Sequence, residues 1–160
     1  MAWITPVFDR TENDVLAAQN QIAAWMEAIA AGQTVSTVDL KGCLNAADFN
    51  RIEGNTAYLA ERLTALHYPV SVVTKTWQRE SLPNRDDVVR IIGNVQKLLD
   101  AYLRYSGASD LPDSMLGYAE INSIEENLFF INSLLDWMMS AFKKCGTFKS
   151  GQKTFLPLRR

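Results

Sequence analysis

The chain has 160 residues, 48% of them hydrophobic, with a net charge of −2 and only two cysteines. That size and composition describe one globular domain able to bury roughly two-thirds of its chain surface. A charge so near zero exerts no global pull on nucleic acid or anionic lipid. Cys43 and Cys145 are too few for a disulfide framework and lack metal-type spacing, so both read as structural free thiols.

The opening stretch MAWITPVFDRTEND has neither a basic leader region nor a long apolar core, so it does not read as a signal peptide. Thr11 with Asp14 marks the start of a first helix. Its apolar stripe is Val15, Ala18, Ile22, Trp25 or Met26, and Ile29, and Gly32 ends it. A second helix is predicted over about 46–66, stopped before Pro69, and a third over about 85–105, stopped near Gly107. Between them, VSVV at 70–73 is compatible with a short strand, and Trp77 reads as a loop anchor over the helices. A fourth helix begins near 114–118, with Asp113 or Ser114 as candidate caps, and continues to about Lys144 before Gly146.

Its core stretch, LFFINSLLDWMMSAF, is interrupted by Asn132, Ser133 and Asp136, which argues against a membrane span and for a soluble, cytoplasmically made protein. Apolar residues there cover more than one side, so this helix is either the centre of the core or a contact surface. The predicted fold is all-α: an elongated four-helix bundle with a diverged internal repeat in residues 1–145. A short basic hairpin or extended arm follows at 146–160, turning at Gly151.

The repeat emerges when FNRIEGNTAYL, VVRIIGNVQKL and INSIEENLFFI are set on their isoleucines, Ile52, Ile91 and Ile124. Phe49, Val88 and Ile121 lie three residues before, Asn55, Asn94 and Asn127 three after, and Leu59, Leu98 and Ile131 seven after. Spacings of three and four keep these positions on one helical face. An amide on an apolar stripe needs partners, because leaving it unsatisfied costs about 1–3 kcal/mol. The three asparagines are therefore predicted to form a structural polar network with neighbouring loops or helices. Upstream, Asn45 and Asn84 read as helix caps, with Asp48 and Asp87 three residues on completing each cap; Glu120 holds that acidic place in the third copy, where Gly117 replaces the cap. Gly54 and Gly93 recur inside the helices and suggest close approach of another backbone.

Reactive chemistry is hard to assemble from these residues. His67 is the only histidine and reads as a helix-end residue; no nucleophile motif accompanies it. No phosphate-cradling glycine loop is present. The acidic pairs 86–87 and 125–126 read as helix-start electrostatics and solvated faces. No catalytic residue, metal ligand or cofactor is assigned.

Several segments occur in a familiar order: FDRTENDV, LKGCLNAADFNRIEGNTAYLAERL, KTWQRESLPNRDDVVRIIGNV, LPDSMLGYAEINSIEENL and FKKCGTFKSGQ. From about Trp3 to Gln152 the chain resembles helical proteins and N-terminal domains from prophage tail-gene regions of Gram-positive, largely clostridial, bacteria. The resemblance implies a tail-fibre-like or virion-associated protein, made in the host bacterial cytoplasm and incorporated into the virion tail. With no long receptor-binding region after Arg160, the expected role is to bridge or cap parts of a tail or baseplate, without enzymatic activity. The expected partners are other tail or baseplate proteins and further copies of the chain, as a dimer or trimer, with no membrane partner. Trp137, Met138, Met139, Phe142, Lys143, Lys144, Phe148 and Phe155 are the candidate interface residues. An alternative is a nucleic-acid-binding or regulatory module using Lys143, Lys144, Lys149, Lys153, Arg159 and Arg160. Against it stands the −8 net charge of the first 136 residues, which repels a polyanion.

Overall fold

In the computed structural model, which describes residues 2–115 and 117–144, the first three helices each start where local side chains close the first turn. Thr11 caps α1 (Glu12–Ala30), Asn45 caps α2 (Ala46–Ala65) and Asn84 caps α3 (Arg85–Ala101). Each cap oxygen accepts from the third helical N–H, and the acid there, Asp14, Asp48 or Asp87, accepts from the cap's own N–H in return. Two orphan amides are thus satisfied per helix. The last helix, α4 (Tyr118–Lys144), starts beyond Asp113 and Ser114, and its first turn closes from Ile121 N–H to the Gly117 carbonyl at 3.4 Å. The fold is all-α, as predicted. Among the described residues there is no strand.

The ends are equally local. After α1, Gly32 takes a left-handed φ of 77°, and Gln33 N–H returns to the Ala28 carbonyl. After α2, His67 fills the same place at φ 67°, with Tyr68 N–H donating to the Leu63 carbonyl at 2.9 Å. A histidine there accepts a conformation that favours glycine. The third helix ends at Ala101 rather than near Tyr105, because Tyr102 leaves helical geometry and turns its ring edge-on to Tyr68.

The core follows the isoleucine-centred stripe. Ile52, Leu59, Ile91, Leu98, Ile124, Leu128, Ile131 and Leu135 are buried in one cluster, and α2, α3 and α4 each pack on the other two. These three run parallel. Their starts meet where Leu44 and Tyr118 line one cavity, and their far ends meet where Tyr68, Tyr102 and Met138 touch. Parallel neighbours need a return path, and here each return is an extended segment lying against the helices. The strand expected at 70–73 is such a segment, its backbone paired to a side-chain amide instead of another strand.

Two expectations change. Gly54 and Gly93 face open space, with nothing within 4 Å of where a Cβ would stand, so no backbone approaches them. And α1 buries only Ala18 fully; Ile22, Met26 and Ile29 of its stripe are exposed. It lies over the starts of the other helices. Val15 shares a cavity wall with Tyr118 and Leu44, while Ile22 and Trp25 share one with Asn45 and Pro83.

Candidate functional site

An extended segment and the helix that follows it form the repeating unit, and asparagine is its fastener. The Asn55 carboxamide takes Ile4 N–H at 3.0 Å and gives to the Ile4 carbonyl at 2.7 Å. Asn94 does the same with Val73, at 3.4 and 2.7 Å. Asn127 donates to the Ser109 carbonyl at 2.9 Å. All three are at most 2% exposed. The predicted network is therefore present, and each amide binds a backbone segment rather than another amide. A second pair, unforeseen, sits two residues before the isoleucines: Asn50 brackets the Trp77 backbone at 2.8 and 2.9 Å, and Asn122 that of Arg10 at 3.3 and 2.9 Å.

Each of two grooves consequently holds an extended segment by two carboxamides from different helices. Residues 4–10 are held by Asn55 of α2 and Asn122 of α4; residues 73–77 by Asn94 of α3 and Asn50 of α2. An arginine–glutamate clasp lies under each. Arg51 of α2 grips Glu125 of α4 at 2.7 and 2.8 Å, and Arg90 of α3 grips Glu53 of α2 at 2.6 and 2.9 Å. The arginines occupy one offset from their isoleucines and the glutamates another. The third groove, between α4 and α3, has Ser123 and Ile92 at those offsets and Val89 at the lower asparagine position. Its segment anchors by apolar contact instead, with Met115 in the core and Leu111 packed on it. Ser109 N–H turns to Glu126 at 2.9 Å, which leaves Asn127 Oδ1 buried without a partner.

Glu125, read from sequence as part of a solvated face, is fully buried. It accepts from Arg10, Arg51 and Val7 N–H, while Asp48 adds to its capping role a 2.8 Å bond from Arg10. Two guanidinium groups and two carboxylates close on one another, as buried charges must. Burial would lower the Arg51 pKa, but Glu125 and Asp48 outweigh it and hold the group above its ordinary value. Asp87 is drawn upward by burial, yet Asn84 N–H, Lys75 and Arg90 hold it below the usual carboxylate range. These ions are committed to one another. Trp77 is buried, stacked on Phe49 at 4.6 Å with its indole N–H on Glu53. His67 is exposed in its helix-end turn. Among the described residues no group of three or more side chains could hold a metal ion.

Two apolar surfaces are left exposed. The Asn55 and Ile4 pair spans 51 residues, against 21 and 18 for the equivalent pairs, so the first unit carries an insertion of about 30 residues: α1 and its following loop. On it Met26 and Ile29 are 66% and 60% exposed. At the other end, α4 outruns its neighbours: it continues to Lys144, 20 residues past Ile124, whereas α2 stops 13 past Ile52 and α3 10 past Ile91. On this overhang Trp137 and Phe142 are 65% and 64% exposed. Met138 is partly buried beside the Tyr102 hydroxyl, and Met139 is half-buried. The side chains of Lys143 and Lys144, with Cys145, Phe148, Phe155 and the whole predicted arm, lie outside the described residues.

The chain matches no family model, no curated protein and no solved structure.

Proposed function

We propose that the protein is a non-enzymatic structural or adaptor component of a phage-derived tail or baseplate, assembling through protein–protein contacts as a homo-oligomer. One observation carries the adaptor reading: a core whose buried polar groups are nearly all committed to one another bears two uncovered apolar elements, α1 and the α4 overhang, at opposite ends. Apolar residues exposed in such groups are characteristic of contact surfaces. The tail assignment rests on the resemblance of the NRIEGN and NSIEEN segments and their neighbours. No described helix is long and apolar enough to cross a membrane, in keeping with protein rather than lipid partners.

The test is mass spectrometry of purified tails after prophage induction in the source bacterium. The expected result is this chain in assembled particles at a fixed ratio to other tail proteins; its recovery only from free lysate would remove the tail assignment. Light scattering of the purified protein separately tests self-association.

A further inference from the structure

We propose that the cavity shared by Phe8 and Tyr118, on the flank of α4, binds a small organic cation with a trimethylammonium head group. Its volume is about 260 Å³, and its wall includes Phe8, Ser109, Tyr118, Asn122, Ser123 and Glu126. Drug-sized ligands usually occupy roughly 300–1,000 Å³, so this smaller space fits a compact head group. It forms where the first segment, carrying Phe8, and the third, carrying Ser109, both meet α4. The ring of Phe8 is fixed from behind by Phe129, with centroids 5.2 Å apart.

What the wall offers a ligand follows from what its polar groups already do. The Asn122 carboxamide is taken at both ends by the Arg10 backbone, at 3.3 and 2.9 Å. Ser123 donates its hydroxyl to the Ala119 carbonyl at 3.0 Å, and Ser109 N–H donates to one oxygen of Glu126 at 2.9 Å. Apart from the Tyr118 hydroxyl, two aromatic rings and the other Glu126 oxygen remain. Glu126 is half-buried, no basic residue lines the cavity, and none of the described ion pairs includes it. A carboxylate beside ring faces attracts a cation, both by charge and through the ring quadrupole. A primary ammonium would bring three N–H donors to one free carboxylate oxygen. A quaternary ammonium brings none and leaves nothing unsatisfied. Helix starts ordinarily favour anions, but Glu120 in the first turn of α4 already turns its carboxylate back over Gly117. The −8 net charge of the first 136 residues adds a general attraction for cations.

The test titrates the full chain with choline and follows its backbone amides by NMR. Shifts should saturate in the millimolar range and centre on Ser109, Tyr118 and Glu126. The neutral isostere of choline, with a tert-butyl group in place of trimethylammonium, keeps the shape and loses the charge. It should bind at least about tenfold more weakly. Tyr118→Leu and Glu126→Gln should each weaken choline about fivefold, the effect of one partly exposed cation contact. Tyr118 is exposed, and glutamine keeps an acceptor for Ser109 N–H, so both variants are expected to fold like wild type. The comparison of choline with its isostere uses wild-type protein and decides the matter even if a variant unfolds. Phosphatidylcholine vesicles carry the same head group. Co-sedimentation with them, competed by free choline, would assign the site to a lipid-borne source, and its absence to a free ligand. Equal binding of choline and its isostere would overturn the cation site, as would shifts that leave Ser109 and Tyr118 unmoved. No saturation up to about 100 mM choline, weaker than any useful affinity, would overturn it as well.

Discussion

An asparagine carboxamide presents one acceptor beside one donor, the same pair a peptide unit presents along an extended chain. That match explains why asparagine, and neither aspartate nor glutamine, stands at the repeat position. An aspartate would face the Ile4 carbonyl with a second acceptor, and glutamine would add a methylene to a packed stripe. The cost of removing each amide should follow its satisfaction. Asn55→Ala and Asn94→Ala should each lower stability by about 1–2 kcal/mol, and Asn127→Ala by less, because its oxygen already lacks a partner. Urea titration of the three variants gives the order, and an Asn127 cost equal to the others would contradict it. The asparagines and caps were legible because helical spacing and threefold recurrence single them out. Their partners were not, because Ile4 lies 51 residues from Asn55 on an extended segment with no periodicity to read. Arg51 and Arg90, and Glu53 and Glu125, recur at fixed offsets and could have been noticed. They lie beside the stripe, where charge ordinarily means solvent. Asp87 adds a pH dependence. Its folded pKa is depressed by Asn84, Lys75 and Arg90 against burial, so its contribution is present above the unfolded value near 4 and is lost as pH falls through the lower folded value. Asp87→Asn should therefore be less stable than wild type at pH 7, with the gap narrowing in thermal melts toward about pH 2.

Among the elements, α2 and α3 were placed within a few residues by their caps and stops, because those signals are local. The four-helix, all-α reading holds, but where the first helix packs was not legible, since an amphipathic stripe states that a face needs cover without stating what covers it. Its position depends on Gly42, where a Cβ would stand 2.0 Å from the Asp14 carbonyl oxygen, a contact no periodicity reveals. The overhang on α4 was likewise hidden. Its apolar run looks continuous in sequence, and only the earlier ends of α2 and α3 divide it into a buried half and a bare half. Glycines inside α2 and α3 give the plainest element-scale prediction. Since open space surrounds Gly54 and Gly93 at helical φ, Gly54→Ala and Gly93→Ala should each stabilise the protein by about 0.5–1 kcal/mol through reduced unfolded-state entropy. A loss of stability in denaturant titrations would mean that some partner approaches those positions after all.

At the scale of the molecule, three segment-and-helix units surround one core in approximate threefold order, two grooves fastened by amides and ion clasps and the third by apolar packing. Such a core is complete without α1. Its two flanks are already fixed beside each other: Arg10 is bonded through its backbone to Asn122 and through its guanidinium to Asp48 at 2.8 Å. An arginine side chain reaches roughly 7 Å and the bonded Asp48 side chain adds about 6 Å more, so about eight glycines, at 3.3–3.6 Å each, can replace residues 12–44 without moving either flank. The shortened chain is expected to keep a single cooperative unfolding transition and the near-ultraviolet signal of buried Trp77. It should lose some stability, because Ala18 and the Leu44 contacts go with the insertion. It should also lose self-association, because α1 carries one of the two exposed apolar surfaces, Met26 and Ile29. Calorimetry and analytical ultracentrifugation read the two halves of this prediction independently. A shortened chain without a cooperative transition would show that α1 belongs to the folding unit. One that folds and still forms homo-oligomers would move the contact surface away from α1.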